Sequence, residues 1–252
     1  MIYFVGAGCG APDLITVRGA QLLAQADAVV YAGSLVSPAL LDDVKTGCEI
    51  HNSAEMTLDE VIAVLKRVHE AGGIAVRLHT GDPSLYGAIR EQMDVLRAAN
   101  IPFEICPGVS SFSGAAAALQ AEYTLPGVSQ SVVITRMAGR TPVPERESIQ
   151  SFAAHRATMV IFLSAGMAKS LQAELISGGY SSKTPAAIVY KASWPDEKII
   201  RCTVGTLAHA MVDSGIDHHA LICVGDFLGD AYELSKLYDP GFTTAFRKGT
   251  DS

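Results

Sequence analysis

The sequence predicts an α/β protein with an N-terminal parallel α/β domain and a C-terminal mixed-sheet α/β domain. Three observations lead to this prediction. Short β-rich runs alternate with helical stretches through the first half of the chain, which is typical of a parallel sheet flanked by helices. The second half is richer in β-branched runs. With 252 residues, of which 49% are apolar, the chain is large enough to form two hydrophobic cores.

The first half contains four predicted strands and four predicted helices. The strands are residues 2–5, 28–31, 74–79 and 103–105, and the helices are residues 16–25, 58–71, 87–99 and 113–120. In the longest helix, Val61, Leu65 and Val68 recur at helical spacing and predict its buried face. Alternation of this kind indicates strands that are parallel.

The second half contains five further predicted strands. These are residues 131–135, 158–163, 186–190, 198–202 and 220–224. Trp194-Pro195-Asp196-Glu197 separates two of them and indicates a hairpin, so the sheet should be mixed. Because the periodicity breaks near residues 123–128, we expect domains at residues 1–124 and 125–240, followed by a loose polar tail at 241–252.

Charge and hydropathy restrict the possible partners. Acidic residues outnumber basic ones by 26 to 19, so we expect no nucleic-acid partner, and an anionic substrate would need a local basic pocket. No apolar stretch approaches the roughly 20 residues that span a bilayer, so we expect no membrane insertion. Met1 leads directly into an apolar strand without an export signal, which favours a cytoplasmic protein.

No metal site is predicted. The five cysteines form no C-x-x-C pair and are expected to be reduced and mostly buried; they are Cys9, Cys48, Cys106, Cys202 and Cys223. His218-His219 should lie on a strand, where adjacent side chains point to opposite faces, and they lack a partner at ligand spacing. A structural role is therefore predicted for this pair.

A glycine-rich turn follows the first strand. Gly6-Ala7-Gly8-Cys9-Gly10-Ala11 would let backbone amides approach a ligand, although tight packing alone also explains such a turn. The turn nearly fits the nicotinamide-nucleotide fingerprint. However, Pro12-Asp13 follows at once, and the second strand ends in Tyr31-Ala32-Gly33 without the ribose-binding acid. A nicotinamide-dependent oxidoreductase therefore remains only an alternative.

Two more segments at predicted strand ends could bind a ligand. In Leu78-His79-Thr80-Gly81-Asp82-Pro83-Ser84-Leu85-Tyr86-Gly87, the proline holds Asp82 out of helical conformation, although a plain helix cap is an alternative. Cys106-Pro107-Gly108-Val109-Ser110-Ser111-Phe112-Ser113-Gly114 supplies hydroxyls that could cap amides or bind a ligand. Open α/β sheets bind ligands at the carboxyl ends of their strands, so three such segments together favour a binding site.

These segments, taken in this order, resemble the tetrapyrrole methyltransferase family over roughly residues 2–228. Three others look most like its precorrin-4 C-11 branch: Tyr31-Ala32-Gly33-Ser34-Leu35-Val36-Ser37, Asn52-Ser53-Ala54-Glu55-Met56 and Thr135-Arg136-Met137-Ala138-Gly139-Arg140-Thr141-Pro142-Val143-Pro144-Glu145. The resemblance implies S-adenosylmethionine as methyl donor, S-adenosylhomocysteine as product, a cofactor cleft between the two domains and a homodimer.

The chain departs from relatives that methylate uroporphyrinogen in two places. They commonly carry Pro-Gly-Asp where this chain has Cys9-Gly10-Ala11, and an aspartate where it has Ala32. Residue 32 therefore cannot be a general base, and uroporphyrinogen is disfavoured as substrate. No catalytic residue is assigned, because Tyr31, Tyr86 or water could assist proton loss.

Residue by residue, the resemblance implies nine cofactor contacts: Cys9, Thr80, Gly81, Asp82, Leu85, Ser110, Ser111, Leu163 and Ala192. The predicted substrate contacts are Tyr31 and Ser34, in the segment that resembles the C-11 branch, and Arg136 and Arg140, which could bind the acetate and propionate arms. Further cations near strand ends or loops are Arg77, Lys169 and Lys191.

The predicted function is methylation of precorrin-4 at C-11 to give precorrin-5 in cobalamin biosynthesis, with the metal-free substrate favoured over the cobalt-containing one. Another tetrapyrrole is an alternative substrate. RNA or protein methylation is disfavoured by the acidic balance. From other classes, a nicotinamide-dependent oxidoreductase and a nucleotide-binding module remain as alternatives.

Overall fold

The computed structural model describes residues 1–250, and the side chain of Ser34 lies outside the described part. The chain divides into two compact units. The first contains Met1–Ala118 together with Lys191–Lys198, and the second contains Leu119–Tyr190 and the chain from Ile199 onward. The Trp194 segment, which follows a strand of the second half, thus belongs to the first unit.

The first unit contains a five-stranded parallel sheet in the order β3-β2-β4-β1-β5. Its strands are β1 Ile2–Gly6, β2 Ala28–Tyr31, β3 Glu49–Asn52, β4 Ala75–His79 and β5 Phe103–Cys106. Its helices are α1 Val17–Ala24, α2 Ala39–Asp42, α3 Leu58–Glu70, α4 Ile89–Ala98 and α5 Ser111–Leu119. The predicted parallel α/β architecture is confirmed.

The two faces of this sheet pack against different helices. Phe4 and Val30 belong to a buried cluster with residues of α3 and α4, such as Leu65. Val5 and Val29 belong to a second cluster, with residues of α1 and α2. The alternation of neighbouring residues between the clusters follows from the two-residue period of a strand. A sheet buried on both faces is the arrangement that parallel strands require.

The longest helix of the first unit forms where its sequence predicts. The Thr57 hydroxyl accepts from the Glu60 amide, and the Glu60 carboxylate accepts from the Thr57 amide, which forms a capping box ahead of α3. Val61, Leu65 and Val68 are buried, as their spacing predicts. This helix therefore combines a local start signal with a matching apolar face.

The second unit contains a five-stranded mixed sheet in the order β6-β7-β10-β8-β9. Its strands are β6 Val132–Arg136, β7 Thr158–Phe162, β8 Pro185–Tyr190, β9 Lys198–Thr203 and β10 Ala220–Val224, and its helices are α6 Ile149–Ala153, α7 Ala168–Gly178 and α8 Leu207–Ser214. Strand β6 is parallel to β7, whereas β10 is antiparallel to both β7 and β8. The prediction of a mixed sheet is confirmed.

The prediction that His218 and His219 lie on a strand is wrong. Both precede β10, which begins at Ala220, and His219 has a positive φ of 53° that no extended strand adopts. His218 contacts the carboxylate of its neighbour Asp217. His218 and His219 therefore lie at the end of the loop that precedes β10.

No helix within residues 1–250 combines the length and the apolarity needed to cross a bilayer.

Candidate functional site

The three segments singled out as ligand-binding candidates follow three adjacent strands. Strand β1 lies between β4 and β5, so the loops after these strands emerge side by side at one edge of the first sheet. A Cβ on Gly6 would lie 2.5 Å from the Gly108 Cα and 2.6 Å from the Gly81 carbonyl oxygen. One glycine from each loop thus allows the three backbones to meet.

Hydrogen bonds join the glycine turn to the loop after β4. The Ala7 amide donates to the His79 carbonyl at 2.7 Å. Gly8 and Gly81 exchange backbone hydrogen bonds, at 3.3 Å from the Gly8 amide and 2.8 Å from the Gly81 amide. The turn is therefore fixed against the neighbouring loop rather than held by β1 alone.

Asp82 connects the loop after β4 to the turn after β5. Its Oδ2 accepts from the Gly108 amide at 2.7 Å, and its Oδ1 accepts from the Ser84 amide at 2.8 Å and from the Ser84 hydroxyl. Partial burial raises the pKa of Asp82, but the hydrogen bonds from the Ser84 hydroxyl and from the Gly108 and Ser84 amides outweigh it, so the pKa lies below its usual range. The carboxylate is thus an ionised clamp between two loops.

The other predicted cofactor contacts in the loops after β4 and β5 lie close to Gly81 and Asp82. A Cβ on Gly81 would lie 3.4 Å from the Ser111 amide nitrogen and 3.5 Å from the Ser110 Cα, so these backbones are in van der Waals contact. Thr80 precedes Gly81 directly, and the Leu85 amide closes a turn by donating to the Asp82 carbonyl at 3.2 Å.

Cys9 and Ala192 are far apart in sequence but adjacent in the first unit. A Cβ on Gly114 would lie 2.7 Å from the Cys9 sulfur and 3.4 Å from the Ala192 Cβ. The Ser193 hydroxyl lies 3.4 Å from the Cys9 sulfur and accepts from the Ala11 amide at 3.0 Å. The structure therefore brings these two predicted cofactor contacts to the glycine turn.

Leu163 belongs to the second unit and directly follows β7. Its φ is 51°, in the left-handed region, and 68% of its surface is exposed. The left-handed backbone of a non-glycine residue is strained, and backbone outliers of this kind cluster at ligand sites.

Tyr31 lines a cavity of about 400 Å³ in the first unit. The cavity is lined by Tyr31, Gly33, Val36, Pro38, Leu41, Asn52, Ala54 and Trp194. The side chain of Ser34, another predicted substrate contact, lies outside the described residues. Trp194 was predicted only as part of a hairpin, and the one signal that could have marked it is that it is the sole tryptophan of the chain.

Arg136 and Arg140 lie in the second unit, at the end of β6 and in the loop that follows. The Arg136 guanidinium donates to the carbonyls of Met137, Thr141 and Pro142, at 3.1, 3.2 and 2.8 Å. These bonds shape the loop that contains the exposed Arg140. Arg136 thus supports the loop, and Arg140 carries a charge at its surface.

Arg77 does not lie at the surface of the protein. It is buried in β4, where its guanidinium donates to the Val30 carbonyl at 3.0 Å and to Gln92 Oε1 at 3.2 Å. Burial lowers its pKa to about 10. Since these donors serve the interior of the sheet, the interpretation of Arg77 as a contact for substrate carboxylates is wrong.

His79, two residues further along β4, is also buried, at 3% exposure, and its ring stacks on Phe4 with centroids 6.2 Å apart. Burial and the nearby positive charge of Arg77 lower its pKa to about 3. The imidazole is therefore neutral at physiological pH.

Comparison with known proteins places these observations in a family. The family model for Tetrapyrrole (Corrin/Porphyrin) Methylases matches residues 1–208. The cobalt-precorrin-4 C(11)-methyltransferase of Methanocaldococcus jannaschii is 50% identical over 98% of this chain and 96% of its own length. The precorrin-4 C(11)-methyltransferase of Pseudomonas aeruginosa is 42% identical over 98% of this chain and 99% of its own length.

Solved structures give the same result. The X-ray structure of a cobalt precorrin-4 methyltransferase, a cobalamin biosynthetic enzyme, superimposes with a TM-score of 0.89 and 48% identity, over 91% of this chain and 96% of that chain. The uroporphyrin-III C-methyltransferase of Thermus thermophilus, complexed with S-adenosylhomocysteine, has a TM-score of 0.76 and 26% identity, over 90% of this chain and 98% of that chain.

Proposed function

Because the chain belongs to the tetrapyrrole (corrin/porphyrin) methylase family, we propose that it transfers a methyl group from S-adenosylmethionine to C-11 of precorrin-4. The product would be precorrin-5, an intermediate of cobalamin biosynthesis. The observation that carries the proposal is the 50% identity to the Methanocaldococcus C(11)-methyltransferase over nearly the full length of both chains.

The loops of the first unit fit S-adenosylmethionine. Gly6, Gly81 and Gly108 let the backbones of three loops pack directly on one another, which fixes these loops at the strand ends where open α/β sheets bind their ligands. Ser110 and Ser111 add hydroxyls at the start of α5. The relative solved with S-adenosylhomocysteine supports the same ligand class. When bound, S-adenosylmethionine supplies a sulfonium methyl group that an electron-rich ring carbon can attack.

The residues of the site mainly orient the reactants. Alignment of a carbon nucleophile behind the S–CH3 bond can by itself remove several kcal/mol of the barrier. A C–C bond forms as the C–S bond breaks, sulfur keeps the electron pair, and a proton leaves the ring system. Tyr31, which lines the cavity, Tyr86 and water are the candidates to take that proton. We therefore assign positioning roles to Asp82 and the three glycines and leave the base open.

The relatives indicate which form of the substrate should be tested first. The relative named for cobalt-precorrin-4 is 50% identical to this chain, whereas the relative named for precorrin-4 is 42% identical. This difference favours the cobalt-containing substrate over the metal-free one that the sequence favoured. In either form the acetate and propionate arms need cations, for which Arg136 and Arg140 remain our candidates.

The decisive experiment supplies methyl-labelled S-adenosylmethionine with precorrin-4 or cobalt-precorrin-4 and locates the label in the product by NMR. We expect the label at C-11 and faster turnover of the cobalt-containing form. Label at C-17, or turnover with uroporphyrinogen alone, would contradict the assignment of substrate and carbon while leaving the methyltransferase family intact.

A calorimetric titration separates the other classes. We expect binding of S-adenosylhomocysteine in preference to NADH, because the first βα unit lacks an acid that could bind a nicotinamide ribose at the end of β2. Preference for NADH would favour an oxidoreductase. Equal affinity without turnover would favour a nucleotide-binding module.

For the remaining properties we propose a cytoplasmic homodimer without nucleic-acid or membrane partners. The homodimer is implied by the family resemblance, and the net charge of −7 disfavours binding to polyanions. Light scattering on the purified protein tests the dimer, since a mass of one 26.5 kDa chain would contradict it.

A further inference from the structure

The segment Lys191–Lys198, which belongs to the first unit, has a strained and strongly fastened backbone. Lys191 and Ser193 both have positive φ angles, 46° and 65°, in the left-handed region that disfavours residues with a Cβ. The Ser193 amide donates to Glu197 Oε2 at 2.6 Å, and Lys191 Nζ pairs with Asp196 Oδ2 at 2.7 Å. Strain that is held in this way is typical of functional segments.

This segment is docked on the glycine turn. The Ser193 hydroxyl accepts from the Ala11 amide at 3.0 Å. A Cβ on Gly10 would lie 2.3 Å from Trp194 Cδ1 and 2.7 Å from the Ala192 carbonyl oxygen. The indole therefore lies directly against the Gly10 backbone, in space that any larger residue at position 10 would need.

The same indole also lines the cavity of about 400 Å³ that contains Tyr31 and Asn52. The Asn52 Oδ1 accepts from the Ala54 amide at 3.1 Å, which orients the amide group and leaves its nitrogen as the donor available to a carboxylate arm. Volumes of a few hundred Å³ suit a small ligand or one part of a larger one, and a tetrapyrrole is larger than this cavity.

The Lys191 Nζ lies over the Trp194 indole, 5.5 Å from the ring centroid, so one face of the ring is already covered. We propose that Trp194 is a substrate-contact residue whose cavity-lining surface contacts one ring of the tetrapyrrole, with Tyr31 and Asn52 contributing to the same subsite. Aromatic rings contact one another favourably in edge-to-face as well as stacked arrangements. Because the Ser193 hydroxyl bonds the same segment to the glycine turn, the contacted ring is held at a fixed position relative to the predicted cofactor contacts. The inference rests on the proposed function for the ligand class, a tetrapyrrole.

The test measures equilibrium binding rather than turnover. The tetrapyrrole, precorrin-4 or cobalt-precorrin-4, is titrated by its own absorbance, and S-adenosylhomocysteine is titrated by calorimetry. We expect Trp194→Ala to raise the Kd of the tetrapyrrole about tenfold, while the Kd of S-adenosylhomocysteine stays within about twofold of wild type. Trp194→Phe keeps a flat ring and should retain most of the affinity for the tetrapyrrole.

Tyr232→Ala is the matched control, because it removes an aromatic ring that is 56% exposed in the second unit, and it should leave both affinities unchanged. An unchanged Kd of the tetrapyrrole in Trp194→Ala would overturn the inference. So would an equal loss of affinity for S-adenosylhomocysteine, because Trp194 would then only support the glycine turn. If Trp194→Ala loses the tetrapyrrole but the wild-type protein methylates a carbon other than C-11, the inference stands and the proposed reaction fails.

Discussion

Gly108→Ala places a methyl group where the ends of β1, β4 and β5 meet. The new Cβ would lie 2.1 Å from the Gly81 carbonyl oxygen and 2.7 Å from the Gly6 Cα. Both contacts are with backbone atoms, so no side chain can rotate away. To restore van der Waals contact, one of the loops must move by roughly 1 Å or more.

The size of the effect follows from what that movement would disturb. The Gly108 amide donates to Asp82 at 2.7 Å, and the Gly81 carbonyl accepts from the Gly8 amide at 3.3 Å. Overpacking of this kind costs about 1–3 kcal/mol of unfolding free energy. A displacement of about 1 Å at a binding site can cost on the order of a hundredfold in rate. We therefore expect a folded but less stable protein with strongly reduced methyl transfer.

The assay combines urea unfolding, calorimetry with S-adenosylhomocysteine and the labelled methyl-transfer reaction. Gly72→Ala is the control, because Gly72 has a positive φ of 79° but no atom within 4 Å of its Cβ position. Gly72→Ala should lower the free energy of unfolding by about 1–2 kcal/mol, from backbone strain alone, and keep the wild-type affinity for S-adenosylhomocysteine. If Gly108→Ala binds S-adenosylhomocysteine and reacts as well as Gly72→Ala, the convergence of the three loops is not the cofactor site.

Three further outcomes are expected. Asp82→Ala should keep the fold but weaken S-adenosylhomocysteine binding about tenfold, because the bonds to Gly108 and Ser84 are lost; unchanged affinity in calorimetry would reduce Asp82 to a cap. Since the folded pKa of His79 is about 3, against about 6.5 when unfolded, its contribution to stability is complete above pH 6.5 and falls by up to about 1.4 kcal/mol per pH unit as the pH drops towards 3. His79→Leu should flatten the plot of unfolding free energy, measured in urea, against pH between 6.5 and 3. The same slope in variant and wild type would show that His79 does not cause this pH dependence. Activity should survive chelation, because residues 1–250 contain no group of three His, Cys, Asp or Glu side chains placed to hold a metal; loss on chelation and rescue by one divalent ion would contradict this.

The strands could be read from local signals in the sequence, with one exception in the parallel sheet. Strand β3, Glu49–Asn52, was not predicted. It carries a polar sequence, Glu-Ile-His-Asn, and lies at the edge of the sheet beside β2. An edge strand buries little and needs no apolar run, so hydropathy gives no signal for it, and only its pairing with β2 defines it.

The chemistry of the site was only partly visible in the sequence. The loops after three strands were predicted as ligand segments because parallel strands present their carboxyl ends together. The sequence could not show that Arg77 is committed to the Val30 carbonyl and Gln92, since a charged residue in a strand is normally exposed unless it is paired. Burial and partner identity are properties of the packed sheet.

By itself the sequence determined the α/β class, the mixed second sheet and the order of the three ligand loops, because strand periodicity, helix caps and glycine turns act over a few residues. Only the tertiary structure decided that Gly6, Gly81 and Gly108 meet, and that the segment containing Trp194 docks on Gly10. These contacts join residues that lie up to 184 positions apart in the sequence. They depend on the distance between backbones to a fraction of an ångström, which no local pattern specifies.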